Sequence, residues 1–419
     1  MNTIDKPTDL LNPQVINESN HYRWLDQVRG AAALYVVCHH AVRKVVVLGD
    51  HAHDPFYRLL QLLTTYDHYA VDIFIVLSGY CLMLPLIRKQ HFGSILNFYI
   101  RRTIRIVLPY YGALFVTLIL IYFSMGEMHG SVWAKNALPV TFESFWKHLL
   151  LIHQWFPTVA TKINGAFWSI GVEYQIYFLF PLFYFLAKKN GFVNTFFLIS
   201  IVSYALWGIS FNFNVINPGE NGTSIYYCSL FFMGVVAAQY ANQEDQTQLI
   251  LFIDKHSKIV KLTAFAGIGL LAIASFSISH FHFSFSIPLQ IQSFFVGFFV
   301  AVLFYLKGKN KIQLNCFNNL VTKPLELVGT IGFSIYLLHD PVLEMVWFYV
   351  VAPMNLPFYW LQAIVEIVLG LIASFSLAII FYKFIEFPCH LLSKSFKNEK
   401  STEDFSKKVI SKKSATIVL

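Results

Sequence analysis

The residues best suited to chemistry are concentrated in one stretch, Arg23 to Val47, which reads RWLDQVRGAAALYVVCHHAVRKVVV. It is apolar enough to enter a bilayer, yet it carries Asp26, Arg29, His39, His40, Arg43 and Lys44. Ionisable groups inside a spanning helix are costly, and they face an internal cavity or another polar group. The eleven-residue step from Arg29 to His40 is three helical turns plus roughly 20°, which puts both on one face about 16 Å apart. His39 points away from that line. Asp26 lies one turn before Arg29 and can pair with it. A cation near the membrane edge and a deeper imidazole on the same face form one end of a polar pathway. The same residues also fit a snorkelling arginine and a buried histidine bonded to a carbonyl.

Other polar groups fall inside apolar runs. Asp72 is near the outer end of one such run and Ser78-Gly79 lies midway along it, where the glycine allows close helix approach. Ser169, Glu173, Tyr177 and Pro181 recur every fourth residue and so share a helix face. Glu173 is a deep carboxylate that needs a partner, and an arginine or histidine from another span would serve. Tyr336 and His339 sit one turn apart near an outer edge, where a histidine bonded at a helix end is the simpler reading. Arg101, Arg102 and Arg105 are either inner-surface anchors or a phosphate clamp, because guanidinium binds phosphate bidentately. His51, His53 and Asp54 could form a metal clip but lack further ligands, and no metal is expected. Asn221-Gly222-Thr223 is a sequon only in a glycosylating pathway.

The elements that position these groups follow from composition. The chain is 56% hydrophobic and only 13% charged, against about 25% charged in soluble domains, so an all-α polytopic membrane protein is expected. Apolar runs give about ten transmembrane helices, near residues 29–48, 69–87, 106–125, 168–187, 192–211, 226–242, 260–279, 285–306, 326–347 and 360–385. With both termini cytoplasmic, the inner segments collect Arg88, Lys89, Arg101, Arg102, Arg105, Lys188, Lys189, Lys255, Lys258, Lys261, Lys307, Lys309, Lys311 and Lys323. The outer ones hold only Arg58, Lys135, Lys147 and Lys162, which obeys the positive-inside rule. This placement explains the net charge of +8 without nucleic acid. Residues 88–105 read as an amphipathic surface segment, and residues 126–167 as an outer loop whose tryptophans, with Trp168 beside it, could cap a cavity. The five cysteines are scattered and give no disulfide framework. The expected organisation is a polar segment over 1–22, a membrane domain over 23–390 and a basic, disordered tail over 391–419.

Taken in order, the motifs resemble those of the acyltransferase-3 family of integral membrane O-acyltransferases. The family's opening matches Leu25, Asp26, Arg29, Gly30 and His40, and its V-D-x-F-F-V-L-S-G-F stretch matches Val71 to Tyr80. Its basic motif matches Arg101, Arg102 and Arg105, although Pro109 follows one residue later than the pattern asks. Trp168, Ser169, Glu173, Tyr177 and Pro181 form the next match, then Ser334, Tyr336, Leu337, His339 and Pro341, then Glu386 and Pro388. Ala70 departs from the family's usual glycine. No esterase-like extension follows, so a stand-alone form is expected.

The resemblance implies transfer of an acyl group, most often acetyl, from cytosolic acetyl-CoA or another acyl-CoA to a hydroxyl of a cell-surface glycan such as lipopolysaccharide O-antigen or exopolysaccharide. It implies a multi-pass protein of the inner (plasma) membrane, whose partners are acyl-CoA, the glycan acceptor and the lipid bilayer. The catalytic residues expected are His40 as base or acyl carrier, Arg29 as stabiliser of the donor or an oxyanion, and Glu173 as partner of His40 or Arg29. Arg101, Arg102 and Arg105 would hold the CoA phosphates. Asp26, Asp72, Ser78, Trp168, Ser169, Tyr177, Tyr336 and His339 would support them. The competing reading is a transporter or flippase in which Arg29, His40 and Glu173 form a proton or anion relay.

Overall fold

The computed structural model describes residues 23–45, 54–125, 136–213, 224–243, 248–281, 288–311 and 319–396. Among these there is no strand, and nine helical stretches are long and apolar enough to cross a membrane. The protein is therefore an all-α, multi-pass membrane protein. The candidate metal clip at His51 and His53, Trp133, the sequon at Asn221, and residues 1–22 and 397–419 lie outside the described residues.

Helix α1, Arg23–Val45, is the expected first span. It is too charged to count among the nine apolar stretches. It is instead the helix that others surround. Four helices pack on it: α3 (Asp67–Lys89), α12 (Asn319–Thr330), α13 (Gly332–Val346) and α14 (Tyr359–Phe381). Short amphipathic α2, Pro55–Thr64, is capped by Asp54 and also rests on α1. Of the remaining helices, α4 is Ile95–Leu120, α5 Phe142–Leu149, α6 Trp168–Asn190, α7 Phe192–Phe213 and α8 Tyr227–Ala241. Then come α9 Gln248–Lys255, α10 Ser257–Phe281, α11 Leu289–Gly308 and, after α14, α15 Phe387–Ser395.

Three expected boundaries shift for local reasons. The surface segment over 88–105 is not separate from the next span. Ser94 caps α4 by accepting from the Asn97 amide at 3.2 Å, and no glycine or proline interrupts the chain before Pro109, so the arginines ride on the first turns of one continuous helix. The expected span over 326–347 is broken at Ile331, between Gly329 and Gly332. Two glycines so close weaken helix continuation. Consequently Tyr336 and His339 lie mid-helix and not at an edge. The chain after Pro388 stays helical to Ser395, so the expected boundary at 390 falls inside α15.

Backbones meet closely where α3 crosses α8. A methyl group on Gly79 would lie 1.9 Å from the Phe231 carbonyl oxygen, and one on Gly234 1.9 Å from that of Val76. Small residues at such crossings let dispersion between backbones replace the hydrophobic drive that lipid removes. The crossing holds Ser78 at a fixed distance from α6. Gly79→Ala is expected to lower the thermal midpoint of the detergent-solubilised protein, by roughly 1–3 kcal/mol of stability. Gly269→Ala, which meets nothing within 4 Å, should leave it unchanged, and equal midpoints for the two variants would dismiss the role given to the crossing.

Candidate active site

A cavity of about 300 Å³ opens between α1, α3, α4, α6, α13 and the wide turn Tyr382–Glu386. Its charged wall consists of Arg29, Arg102, Arg105, Glu173 and Glu386, and its uncharged polar wall includes Ser78, Cys81, Ser169, Tyr177 and Tyr336. The break between α12 and α13 contributes Gly329, Thr330 and Gly332. The side chain of Arg29 lies against Gly332, where a methyl would meet its Cγ at 3.5 Å.

Prolines shape the same wall. Pro85, Pro109 and Pro181 each stand four residues after a lining residue, namely Cys81, Arg105 and Tyr177. A proline has no N–H for the carbonyl one turn back, so each leaves that carbonyl without its helical bond. Pro341 does the same to Leu337, whose carbonyl accepts instead from Asn164 Nδ2 at 3.0 Å. That bond docks the 136–167 segment onto α13.

Arg29 is held by Asp26 at 2.5 Å, as the one-turn spacing suggested, and approaches the Cys81 thiol at 4.0 Å. Glu173 has partners other than those expected. It accepts from the Ser78 hydroxyl at 2.5 Å and from Tyr177 on its own helix, and neither Arg29 nor His40 is hydrogen-bonded to it. Both hydroxyls converge on Oε1 of the carboxylate, where a cation was the expected partner. Arg102 runs between aromatic rings, its Cζ 5.6 Å from the centroids of Phe98 and of Tyr177. Its Nε is buried without a hydrogen-bond partner. No salt bridge joins Arg101, Arg102 or Arg105 to a carboxylate among the described residues. Arg101 is half-buried and does not line the cavity.

His40 is not in this cavity. It belongs to a second polar cluster further along α1, where its Nδ1 lies 4.0 Å from Asp340 Oδ1 and its ring 5.1 Å from that of His339. Lys44 Nζ reaches Asp340 and Glu344, each at 2.9 Å. His39 turns away as expected, its Nδ1 2.6 Å from the Thr64 carbonyl. The two sites are joined through α13. Tyr336 lines the cavity, bonds Ser169 through its hydroxyl at 2.7 Å and places its ring 5.6 Å from His339. Asp72 and Trp168 stand apart from both. Asp72 is buried facing Ser293 on α11, and Trp168 stacks between His68 and Tyr227.

Sequence reasoning missed Asp340, Glu344 and Glu366, and it named Glu386 only as a motif match, with no place in the site. The signal was present: carboxylates in apolar runs, with Lys44 one turn beyond His40. What could not be read was which helices bring them together.

The acyltransferase-3 family model, described as an acyltransferase domain, matches residues 22–383. The chain belongs to this family of membrane proteins. It is 33% identical over 132 residues to the acyltransferase MdmB of Streptomyces mycarofaciens, covering 30% of this chain and 31% of MdmB. It is 26% identical over 348 residues to the O-acetyltransferase OatA of Staphylococcus aureus, covering 78% of this chain and 53% of OatA. The matched region thus spans about a third and about half of the lengths of these two relatives. No solved structure matches the chain.

The 136–167 segment adds a titratable element outside the spans. The rings of His148 and His153 stack at 3.9 Å, both buried. Burial pushes the His148 imidazole down from 6.5 to about 4, and burial together with its neighbour pushes His153 well below its ordinary value. The unfolded segment takes up protons below about 6.5 that the folded one refuses. Stability is therefore complete above that pH and is lost as pH falls toward 4, by about 3 kcal/mol for His148 alone. Limited proteolysis of this segment should accelerate between pH 7 and 5 in the wild type. His148→Asn should flatten that dependence, and an unchanged profile in the variant would contradict it.

Proposed function

We propose that the chain is a membrane O-acyltransferase, most plausibly an O-acetyltransferase. It moves an acyl group from cytosolic acyl-CoA to a hydroxyl of a cell-surface glycan such as lipopolysaccharide O-antigen or exopolysaccharide. The observation that carries the reading is the cavity wall of Arg29, Arg102 and Arg105: Glu173 and Glu386 line the same cavity, yet no salt bridge ties Arg102 or Arg105 to a carboxylate among the described residues. Guanidinium N–H donors that no carboxylate holds are available to an anion. A CoA phosphate is such an anion, and the thioester arm beyond it would then lie along Arg29 and Cys81 toward Tyr336. The names of MdmB and OatA support acyl transfer, and OatA supports an acetyl group and an oxygen acceptor.

In this reading His40 Nε2 takes the proton of the acceptor hydroxyl as the new C–O bond forms. The C–S bond of the thioester breaks, and the proton ends on the CoA thiolate, giving an ester and CoA-SH. Arg29 helps hold the donor in the cavity; about 16 Å along α1 from His40, it is too far from the reacting carbonyl to act on its oxyanion. Glu173, anchored by Ser78 and Tyr177, shapes the cavity wall and does not act on His40. The lysine and arginine bias of the loops favours an inner-membrane orientation with the arginine end toward the cytosol. The donor then enters from one side of the membrane and the acceptor meets His40 from the other.

Inverted membrane vesicles from the native host, carrying its own glycans and supplied with acetyl-labelled acetyl-CoA, test the reading. Label should reach the glycan fraction with wild type and not with His40→Ala. Arg102→Ala should raise the KM for acetyl-CoA roughly 10- to 100-fold, the loss of one charge-assisted contact, with turnover at saturation retained. Wild-type labelling by His40→Ala would remove the base assignment. An unchanged KM in Arg102→Ala would remove the phosphate clamp.

A further inference from the structure

Asp340 sits beside His40 in a setting more constrained than packing alone requires. It follows His339 on α13 and is buried. Its Oδ1 is 2.9 Å from Lys44 Nζ and 4.0 Å from His40 Nδ1, and its Oδ2 accepts from the Gly165 amide at 3.3 Å. Three elements, α1, α13 and the 136–167 segment, therefore converge on one carboxylate. A methyl on Gly165 would lie 3.2 Å from Oδ2, so only a small residue leaves the amide its approach. The charges around His40 are accounted for on every side. His39 lies on its own helix with rings 5.2 Å apart, and Lys44 one turn further on. His339 and Asp340 face it from α13, and beyond Lys44 stand Glu344 and Glu366.

We propose that Asp340 is the positioning residue of His40: its carboxylate receives the Nδ1–H of the imidazole and leaves Nε2 as the proton-accepting nitrogen. The inference rests on the reading of His40 as the base. A base whose second nitrogen is anchored by a carboxylate keeps one tautomer and one ring orientation, and the imidazolium formed on proton transfer is stabilised in place. The 4.0 Å separation closes to a hydrogen bond by a small ring rotation, as catalytic contacts tighten on substrate binding. Lys44 sets the strength of the effect. By holding Oδ1 it shares the carboxylate with the imidazole and limits its pull on the Nδ1–H. His339 does not do the same work. Its Nδ1–H is committed to the Tyr336 carbonyl at 2.8 Å, and it presents a ring, not a charge, to His40.

The test uses a probe that needs no acceptor. Diethyl pyrocarbonate modifies neutral imidazole, and peptide mass spectrometry of the purified full-length protein in liposomes reads its rate at His40 against pH. In Asp340→Asn the midpoint should move to lower pH by about one unit, and in Lys44→Gln to higher pH, because one change removes a nearby anion and the other a nearby cation. In vesicles, Asp340→Asn should lower turnover roughly 10- to 100-fold with the KM for acetyl-CoA unchanged, and Asp340→Glu should recover most of it. Proximity alone moves both midpoints, so the turnover split carries the positioning role: a purely structural Asp340 would not lose turnover in Asp340→Asn at an unchanged KM and recover it in Asp340→Glu. Unmoved midpoints in folded Asp340→Asn and Lys44→Gln, checked by size-exclusion elution, overturn the proposal. Wild-type turnover in His40→Ala overturns the base reading itself, whatever the midpoints do, so the two failures are distinguishable.

Discussion

The structure depends on the burial of a charged helix inside a membrane protein. Helix α1 carries cations and carboxylates that a lipid-facing helix could not hold, since even one central charge costs several kcal/mol. Those turned inward are met by specific groups: Asp26 for Arg29, Asp67 and the Thr64 carbonyl for His39, Asp340 and Glu344 for Lys44. These partners come from α1 itself, from the α2–α3 corner and from α13. The pairing therefore dictates which helices surround α1, and the packing of the others follows. Replacing such pairs by apolar residues of equal volume is often neutral or favourable for stability alone. Their presence argues that the charges serve the site.

Close backbone contact is what makes this surround possible. Where α1 crosses α12, a methyl on Gly30 would lie 2.2 Å from the Leu325 carbonyl oxygen, and one on Gly329 2.0 Å from that of Asp26. The crossing holds Asp26 rigidly at the cavity's edge, and with it Arg29. The same glycine-rich turn interrupts the helix and exposes Thr330 and Gly332 to the cavity. Packing and site are thus built by one set of small residues, so a substitution that only adds volume there would also move a guanidinium.

Much of this was legible in the sequence, and the reason is physical. Period and apolarity mark helices, so the spans emerged close to their observed bounds. The one-turn spacing of Asp26 and Arg29 predicted their pairing because it is local. The clustering of Arg29, Arg102, Arg105, Ser78, Glu173 and Tyr177 around one cavity could be expected only through family resemblance. The partner of Glu173 was misjudged because hydroxyls are abundant and give no distinctive pattern, whereas cations in spans are rare and draw attention. The separation of His40 from the cavity was hidden for a related reason. A shared helix face fixes angle and rise, but it says nothing about which neighbour closes the space between two residues. Here Tyr336 and His339 of α13 close it.

That intervening pair constrains any account of the chemistry. Arg29 at the cavity and His40 in the second cluster are separated by about 16 Å along α1, so no direct arginine–histidine contact links the two. The Tyr336 ring stands between them, anchored to Ser169 by its hydroxyl. The same ring lies 5.6 Å from that of His339, which in turn lies 5.1 Å from His40. The Tyr336 ring thus separates the guanidinium-lined cavity from the His40 cluster, and α13, which carries both Tyr336 and His339, is the element through which a change at one can reach the other.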